Sequence, residues 1–271
     1  MTGIHTTPDP RALRDLAVRV ATEAGGLAAE GQAGVTVLDT KSSPTDVVTK
    51  MDRATEELIR SRLLAVRPDD AILGEEGGEA GGDGGSGVRW VVDPIDGTVN
   101  YLYGQPDWGV AIAAEVDGVV VAAAVSVPRR GELYEAVLGE GSRCNGEPLQ
   151  APPAVPLEQA LVATGFGYFP ERRVQQARVL VEVVPHIRDI RRGGSAAVDL
   201  TGLAAGRANA FYERGLNPWD WAAPGLIASE AGIRVGGLHG GPPANDLVIA
   251  ARPELYDALD ALLAPLGADR D

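Results

Sequence analysis

Cysteine is nearly absent from this chain of 271 residues: Cys144 stands alone, which excludes an intrachain disulfide framework and any cysteine-rich zinc site. Histidine is almost as scarce. With only His5, His186 and His239, a histidine-built zinc centre is not expected. No apolar run approaches the roughly twenty residues of a membrane span. The N-terminal MTGIHTTPDP has neither the basic nor the apolar region of a secretion signal. These absences point to a cytoplasmic protein with no membrane partner. Positive charge is short as well, with 24 Lys and Arg against 38 Asp and Glu, a formal net charge of −14. Such a surface repels nucleic acid and anionic lipid at long range. It would also repel a phosphorylated substrate, unless bound cations reverse the sign locally.

What is present is an ordinary globular composition, 45% apolar. The 35 glycines and 19 prolines follow no fixed period, so collagen and repeat arrays do not fit. Asp9 and Pro10 read as a helix cap and first-turn proline, followed by Leu13, Leu16, Val20, Ala24 and Leu27 at helical spacing. A second amphipathic stretch after Asp52 carries Leu58, Ile59 and Leu63. Short β-like runs follow at 71–73, 88–92, 109–114 and 119–127, and Asn145-Gly146 reads as a hairpin turn. From about residue 152 the rhythm changes. Apolar runs at 160–163, 208–212 and 247–250 alternate with helical patterns at 172–184, 195–205, 221–231 and 253–264. With Ala151-Pro152-Pro153 as the boundary, two layered halves are expected, 1–151 α+β and 152–271 α/β, with a cleft between them.

The one low-complexity stretch, GGEAGGDGGSG at 77–87, reads as a mobile loop. Gly82, Gly84 and Gly87 satisfy G-x-G-x-x-G, but they precede a strand, whereas dinucleotide binding needs the loop after one.

Acids recur where apolar runs end: Asp52, Glu75 and Glu76, Asp93 and Asp96, and Asp220. Taken singly, Asp52 and Asp220 read as helix N-caps and Glu75-Glu76 as a solvated loop. The stretch WVVDPIDGTVNY (90–101) resists so plain a reading. Pro94 fixes the backbone between two carboxylates, Gly97 permits close approach to the main chain, and a helix opening at Thr98 would offer free N–H groups to an anion. Two acids beside an anion site make sense with a divalent metal between them, and oxygen ligands at this density suit Mg²⁺ or Mn²⁺. Other phosphatase chemistries lack their spacing: Gln150 stands where C-x₅-R needs arginine, the acids are D-x-x-D and not D-x-D, and G-x-x-x-x-G-K-S/T does not occur. Nor is this an EF-hand, which needs alternating ligands and a distal Glu.

Five ordered blocks, KSSPTDVVTKMD (41–52), ILGEEGG (72–78), WVVDPIDGTVNY (90–101), RRGGSAAVDL (191–200) and FYERGLNPWDWAA (211–223), together resemble the metal-dependent inositol monophosphatases. The resemblance implies a layered αβαβα sandwich of the inositol monophosphatase and fructose-1,6-bisphosphatase type, mixed α/β and α+β, assembling as a homodimer. It implies that Glu75, Asp93 and the Ile95 carbonyl hold one Mg²⁺, and that Asp93, Asp96 and Asp220 hold a second. A loosely held third ion would use Glu75 and waters. Asp52 and Thr98 would orient and deprotonate the attacking water, Gly97 and Thr98 would offer N–H groups to phosphate, and Gly194, Ser195, Ala196 and Glu213 would grip the alcohol.

Departures from the family pattern are Pro224 where glycine is usual, read as lying in the first turn after Asp220, Ile233 where a second small residue is usual after Gly232, Tyr103 where many members carry histidine, and Trp108-Gly109. The expected reaction is hydrolysis of a small polyol phosphate monoester, myo-inositol 1-phosphate foremost. A histidinol-phosphate or sugar-phosphate (fructose-1,6-bisphosphate) phosphatase is the alternative. Val99, where histidinol-phosphate members often carry lysine, and Glu213, suited to adjacent hydroxyls, favour the polyol. A non-catalytic regulator would be marked by loss of a metal ligand, and none is lost.

Overall fold

A computed structural model describes residues 8–40, 47–81 and 85–270. Helix α1 (Pro10–Gly31) starts behind Asp9, whose carboxylate accepts the Arg11 N–H at 3.0 Å. After a ribbon of β1 (Val37–Thr40) and β2 (Val47–Thr49) comes α2 (Lys50–Val66). Strands β3 (Ala71–Gly74), β4 (Gly78–Gly81), β5 (Val88–Asp96), β6 (Gly109–Val116), β7 (Val119–Val127), β8 (Glu132–Val137), β9 (Ser142–Cys144) and β10 (Glu147–Pro148) form one sheet, ordered β10-β9-β8-β7-β6-β5-β3-β4. Among the described residues of this sheet, only β3 and β5 pair in parallel. Between β5 and β6 lies the short helix α3 (Thr98–Leu102). The Asn145-Gly146 turn joins β9 to β10, both residues at positive φ as a tight hairpin requires.

The second sheet follows: β11 (Leu161–Thr164), α4 (Pro170–Val183), β12 (Asp189–Arg191), α5 (Ala196–Ala204), β13 (Ala210–Glu213), α6 (Pro218–Glu230), β14 (Arg234–Gly236), β15 (Val248–Ala251) and α7 (Pro253–Leu263). Its order is β12-β11-β13-β15-β14. The parallel pairing expected of α/β units holds for β11 with β12 and β13, whereas β15 runs antiparallel to both of its neighbours.

Strand periodicity explains the layers. Trp90, Val92, Val110, Ile112 and Ala114 face α1 and α2, whose Leu13, Leu16, Val20, Ile59 and Leu63 cover them. The alternate residues Val91, Ala111, Ala113 and Val125 face α5 and α6. Phe211, Val248 and Ala250 of the second sheet close the same cluster from the far side. The second sheet's other face packs Val162, Tyr212 and Ile249 against α4 and α7. The result is the αβαβα sandwich. Because both faces of β5 and β6 are buried, they read as continuous apolar runs without polar alternation.

Two expectations need correction. Part of the presumed loop 77–87 is strand β4, whose Glu79 and Ala80 pair with Leu73 and Ile72. Main-chain hydrogen bonds hold such a glycine-rich edge without any side-chain pattern to announce it. Residues 82–84 lie outside the described residues, as do 41–46 of the first block. Pro224 is not in the first turn of α6 but inside the helix. A proline there has no N–H for the carbonyl four residues back, that of Asp220. Among the described residues, no helix is long and apolar enough to cross a membrane.

Candidate active site

The end of β5 is where D-x-x-D becomes intelligible. In a regular strand, residues three apart point to opposite faces. Here the pairing shifts: Asp93 lies opposite Ala111 and Asp96 opposite Gly109, so β5 carries one residue more than β6 over this interval. Such a bulge re-aims side chains, and Pro94 fits it because it needs no ladder donor. Both carboxylates therefore reach one cleft. Asp93 Oδ1 accepts the Ile95 N–H at 3.0 Å. Asp96 Oδ2 accepts the Ala197 N–H at 2.6 Å and the Ser195 hydroxyl, which places this carboxylate at the opening turn of α5.

Asp220 arrives from α6. It occupies the third helical position, and Asn217 is the N-cap; Asp220 Oδ2 accepts the Asn217 N–H at 2.6 Å. Asp52 is likewise third in α2 behind the cap Thr49 and accepts its N–H at 2.8 Å. Neither acid is the N-cap that its position after an apolar run suggested. Each closes a reciprocal capping box, which fixes its rotamer.

Ligand-capable oxygens of Asp93, Asp96 and Asp220 lie within 4.8 Å of one another, so this trio could hold a metal ion. Their ionisation supports the fit. Burial pushes the Asp96 carboxyl up to about 6, against the pull of Ser195, Ala197, Gly97 and Arg192. Burial, then the charges of Asp96 and Glu75, raise Asp220 well above the carboxylate range. A divalent cation relieves this repulsion, and a set of oxygen donors without sulfur or imidazole suits a hard ion.

The cleft, of about 420 Å³, is lined by Glu75, Asp93, Ile95, Asp96, Gly97 and Thr98 on one side. Gly194, Ala196, Glu213 and Asp220 complete it from the second half of the chain. Gly97, the N-cap of α3, sits at φ 88°, and a Cβ there would come within 3.0 Å of Ser195 Cβ and 3.1 Å of the Asp107 carbonyl oxygen. Only glycine suits both the conformation and the space. The Thr98 hydroxyl lies 3.2 Å from Asp52 Oδ1 and 3.1 Å from the Ile95 carbonyl oxygen. Asp52 is fully buried behind it. Glu213 ends β13 with its carboxylate over Gly165, where a Cβ would stand 2.1 Å from its oxygens. Burial, then the Asp199 charge, pushes it up to about 8.

Of the expected site residues, two do not line the cleft: Asp52, which reaches it through Thr98, and Ser195, whose hydroxyl faces Asp96. Residues not singled out from the sequence are the caps Thr49 and Asn217, and Asn100. The Asn100 amide donates to the carbonyls of Asp107 at 2.6 Å and Gly193 at 2.9 Å, tying α3 to the loop before α5. The caps were readable as T-x-x-D and N-x-x-D; Asn100 had no local signal.

The chain matches the inositol monophosphatase family over residues 9–266. It is 43% identical to an inositol-1-monophosphatase of Mycobacterium leprae, over 94% of each chain. It is 38% identical to the Nus factor SuhB of Escherichia coli, over 90% of this chain and 93% of that one. The solved structure of Mycobacterium tuberculosis SuhB superposes with a TM-score of 0.82 at 42% identity, covering 97% of this chain and 99% of the other. Fold, cleft and these likenesses define the class, a phosphoric monoester hydrolase on a layered αβαβα sandwich. The chain belongs to the inositol monophosphatase family.

Proposed function

We propose that the protein hydrolyses small polyol phosphate monoesters, myo-inositol 1-phosphate foremost, in a Mg²⁺-dependent reaction. The observation that carries this reading is the acid trio, set in one cleft with the Gly97-Thr98 turn and Glu213. Glu75, Asp93 and the Ile95 carbonyl would hold one ion, and Asp93, Asp96 and Asp220 the second. Mn²⁺ offers the same octahedral oxygen preference. When bound, the metal supplies Lewis-acid activation of water and neutralises charge on the phosphate and leaving oxygens.

The chain's own groups do the rest. Asp52 Oδ2 accepts from Thr49, and Oδ1 is the oxygen placed to accept the Thr98 proton. Thr98 Oγ then has a lone pair free for the attacking water, so the proton passes from water to Thr98 as Thr98 yields its own to Asp52. N–H groups of Gly97 and Thr98 would meet the phosphate oxygens, and Gly194, Ala196 and Glu213 the alcohol. Ser195 contributes through Asp96. Phosphoryl transfer asks mainly for such positioning and charge neutralisation.

Val99 and Glu213 favour a hydroxyl-rich alcohol over histidinol phosphate. The test is kcat/KM on myo-inositol 1-phosphate, histidinol phosphate and fructose 1,6-bisphosphate with Mg²⁺. The polyol ester is expected to lead; a lead for histidinol phosphate would replace the substrate assignment. The likeness to a Nus factor raises a regulatory reading, but every acid that the family resemblance assigns to metal is present here. Assembly as a homodimer and residence in the cytoplasm belong to the same proposal.

A further inference from the structure

Glu75 sits on the turn between β3 and β4, which is held in part from outside the cleft. That hold lies behind it, on α2. Asp52, Glu56 and Arg60 follow one another at four-residue intervals, so they share one face of the helix. Asp52 serves Thr98. Glu56, 3% exposed, does not line the cleft; its Oε2 accepts the Glu76 N–H at 2.8 Å and its Oε1 the Gly77 N–H at 2.9 Å. Arg60 pairs with Glu56 Oε1 at 2.8 Å and donates to the Gly78 carbonyl at 2.7 Å. Gly74 and Gly77 make the room: a Cβ at either would stand 2.7 Å and 2.8 Å from Glu56 Oε1. A buried carboxylate thus binds the two amides that directly follow Glu75, and its counter-charge grips the next carbonyl.

We propose that Glu56 is the positioning residue for Glu75, a latch that presets the turn for metal binding. Each of its two oxygens accepts one amide, an arrangement that glutamine, with one oxygen and an NH₂ group, does not reproduce. The inference rests on Glu75 being a metal ligand, as proposed above. One face of α2 therefore organises the proton path through Asp52 and the ion-binding turn through Glu56.

The test is Glu56→Gln in the full chain, titrated calorimetrically with Mn²⁺ alone. Glutamine presents an NH₂ group to one of the amides and should weaken ion binding by roughly 10–100-fold, the usual effect of losing a group that orients a ligand. Hydrogen exchange at the Glu76 and Gly77 amides should quicken while the rest of the sheet keeps its protection. Gly77→Ala, on an exposed residue, keeps both charges but crowds Glu56 Oε1 and the Arg60 guanidinium from the turn side. It should weaken Mn²⁺ binding in the same sense, and it keeps the question open to test if Glu56→Gln fails to fold. Unchanged Mn²⁺ affinity in a folded Glu56→Gln protein, or in Gly77→Ala, overturns the latch. Wild-type protein that binds no Mn²⁺ overturns the metal reading itself, and the latch with it.

Discussion

Thr98 has one hydroxyl proton and two acceptors at nearly equal distance, the Asp52 carboxylate and the Ile95 carbonyl. Donation to Asp52 is the state in which Thr98 can receive a proton, so Thr98→Ala should lower kcat by roughly 10²–10⁴-fold, the range of a lost acid–base group. Mn²⁺ binding should hardly change, and Thr98→Ser should restore most of the rate. Weakened ion binding with an intact rate at saturating metal would contradict the role. Ser195→Ala should act oppositely. It removes a donor that orients Asp96, so ion affinity should fall roughly 10–100-fold while the KM for substrate at saturating metal changes little. A raised KM with unchanged ion affinity would return Ser195 to the alcohol.

Capping boxes matter most at the scale of the elements. Two helices, α2 and α6, each present an acid at the third position behind a polar cap. Thr49→Val keeps the shape of a fully buried side chain but removes the hydroxyl that caps the Met51 and Asp52 N–H groups and donates to Asp52 Oδ2, leaving that oxygen the backbone N–H. It should destabilise the protein by about 0.5–2 kcal/mol in urea unfolding and depress kcat as well. A stability loss with kcat intact would separate Thr49 from the proton path. This is also where the sequence was partly opaque. That Asp93 and Asp96 belong together was legible from two carboxylates flanking a proline before a glycine. How they reach one face was not, since the bulge depends on which β6 residues lie opposite them. The contact of the Ser195 hydroxyl with Asp96 was hidden for a similar reason, since Asp96 is distant in sequence. Pro224 could not be placed without knowing that α6 begins at Pro218.

For the molecule as a whole, the layers were readable from the run of apolar strands and helical periods, because both faces of the central strands are buried. Strands such as β4 and β12, short or glycine-rich at sheet edges, carried too little pattern to be seen. The acidic balance likewise had a local meaning that composition could not show. Asp96 is pushed up to about 6, Asp199 to about 7 and Glu213 to about 8, in each case chiefly by burial. Carboxyls raised above their unfolded values favour the folded state below the unfolded pKa and lose that contribution as pH climbs through the folded one. The metal-free protein should therefore lose Tm between pH 6 and pH 8. Mg²⁺ should offset the loss, by about 2.7 kcal/mol at a hundredfold excess over its Kd. A metal-free Tm that rises over this interval would contradict the assignment of buried, uncompensated acids.

The most direct measurement is Mg²⁺-dependent phosphate release from myo-inositol 1-phosphate by the wild type and by Asp93→Asn, the residue assigned to both ions. Release that needs Mg²⁺ in the wild type and is abolished in the variant is the predicted result. Near wild-type turnover by Asp93→Asn would contradict the account.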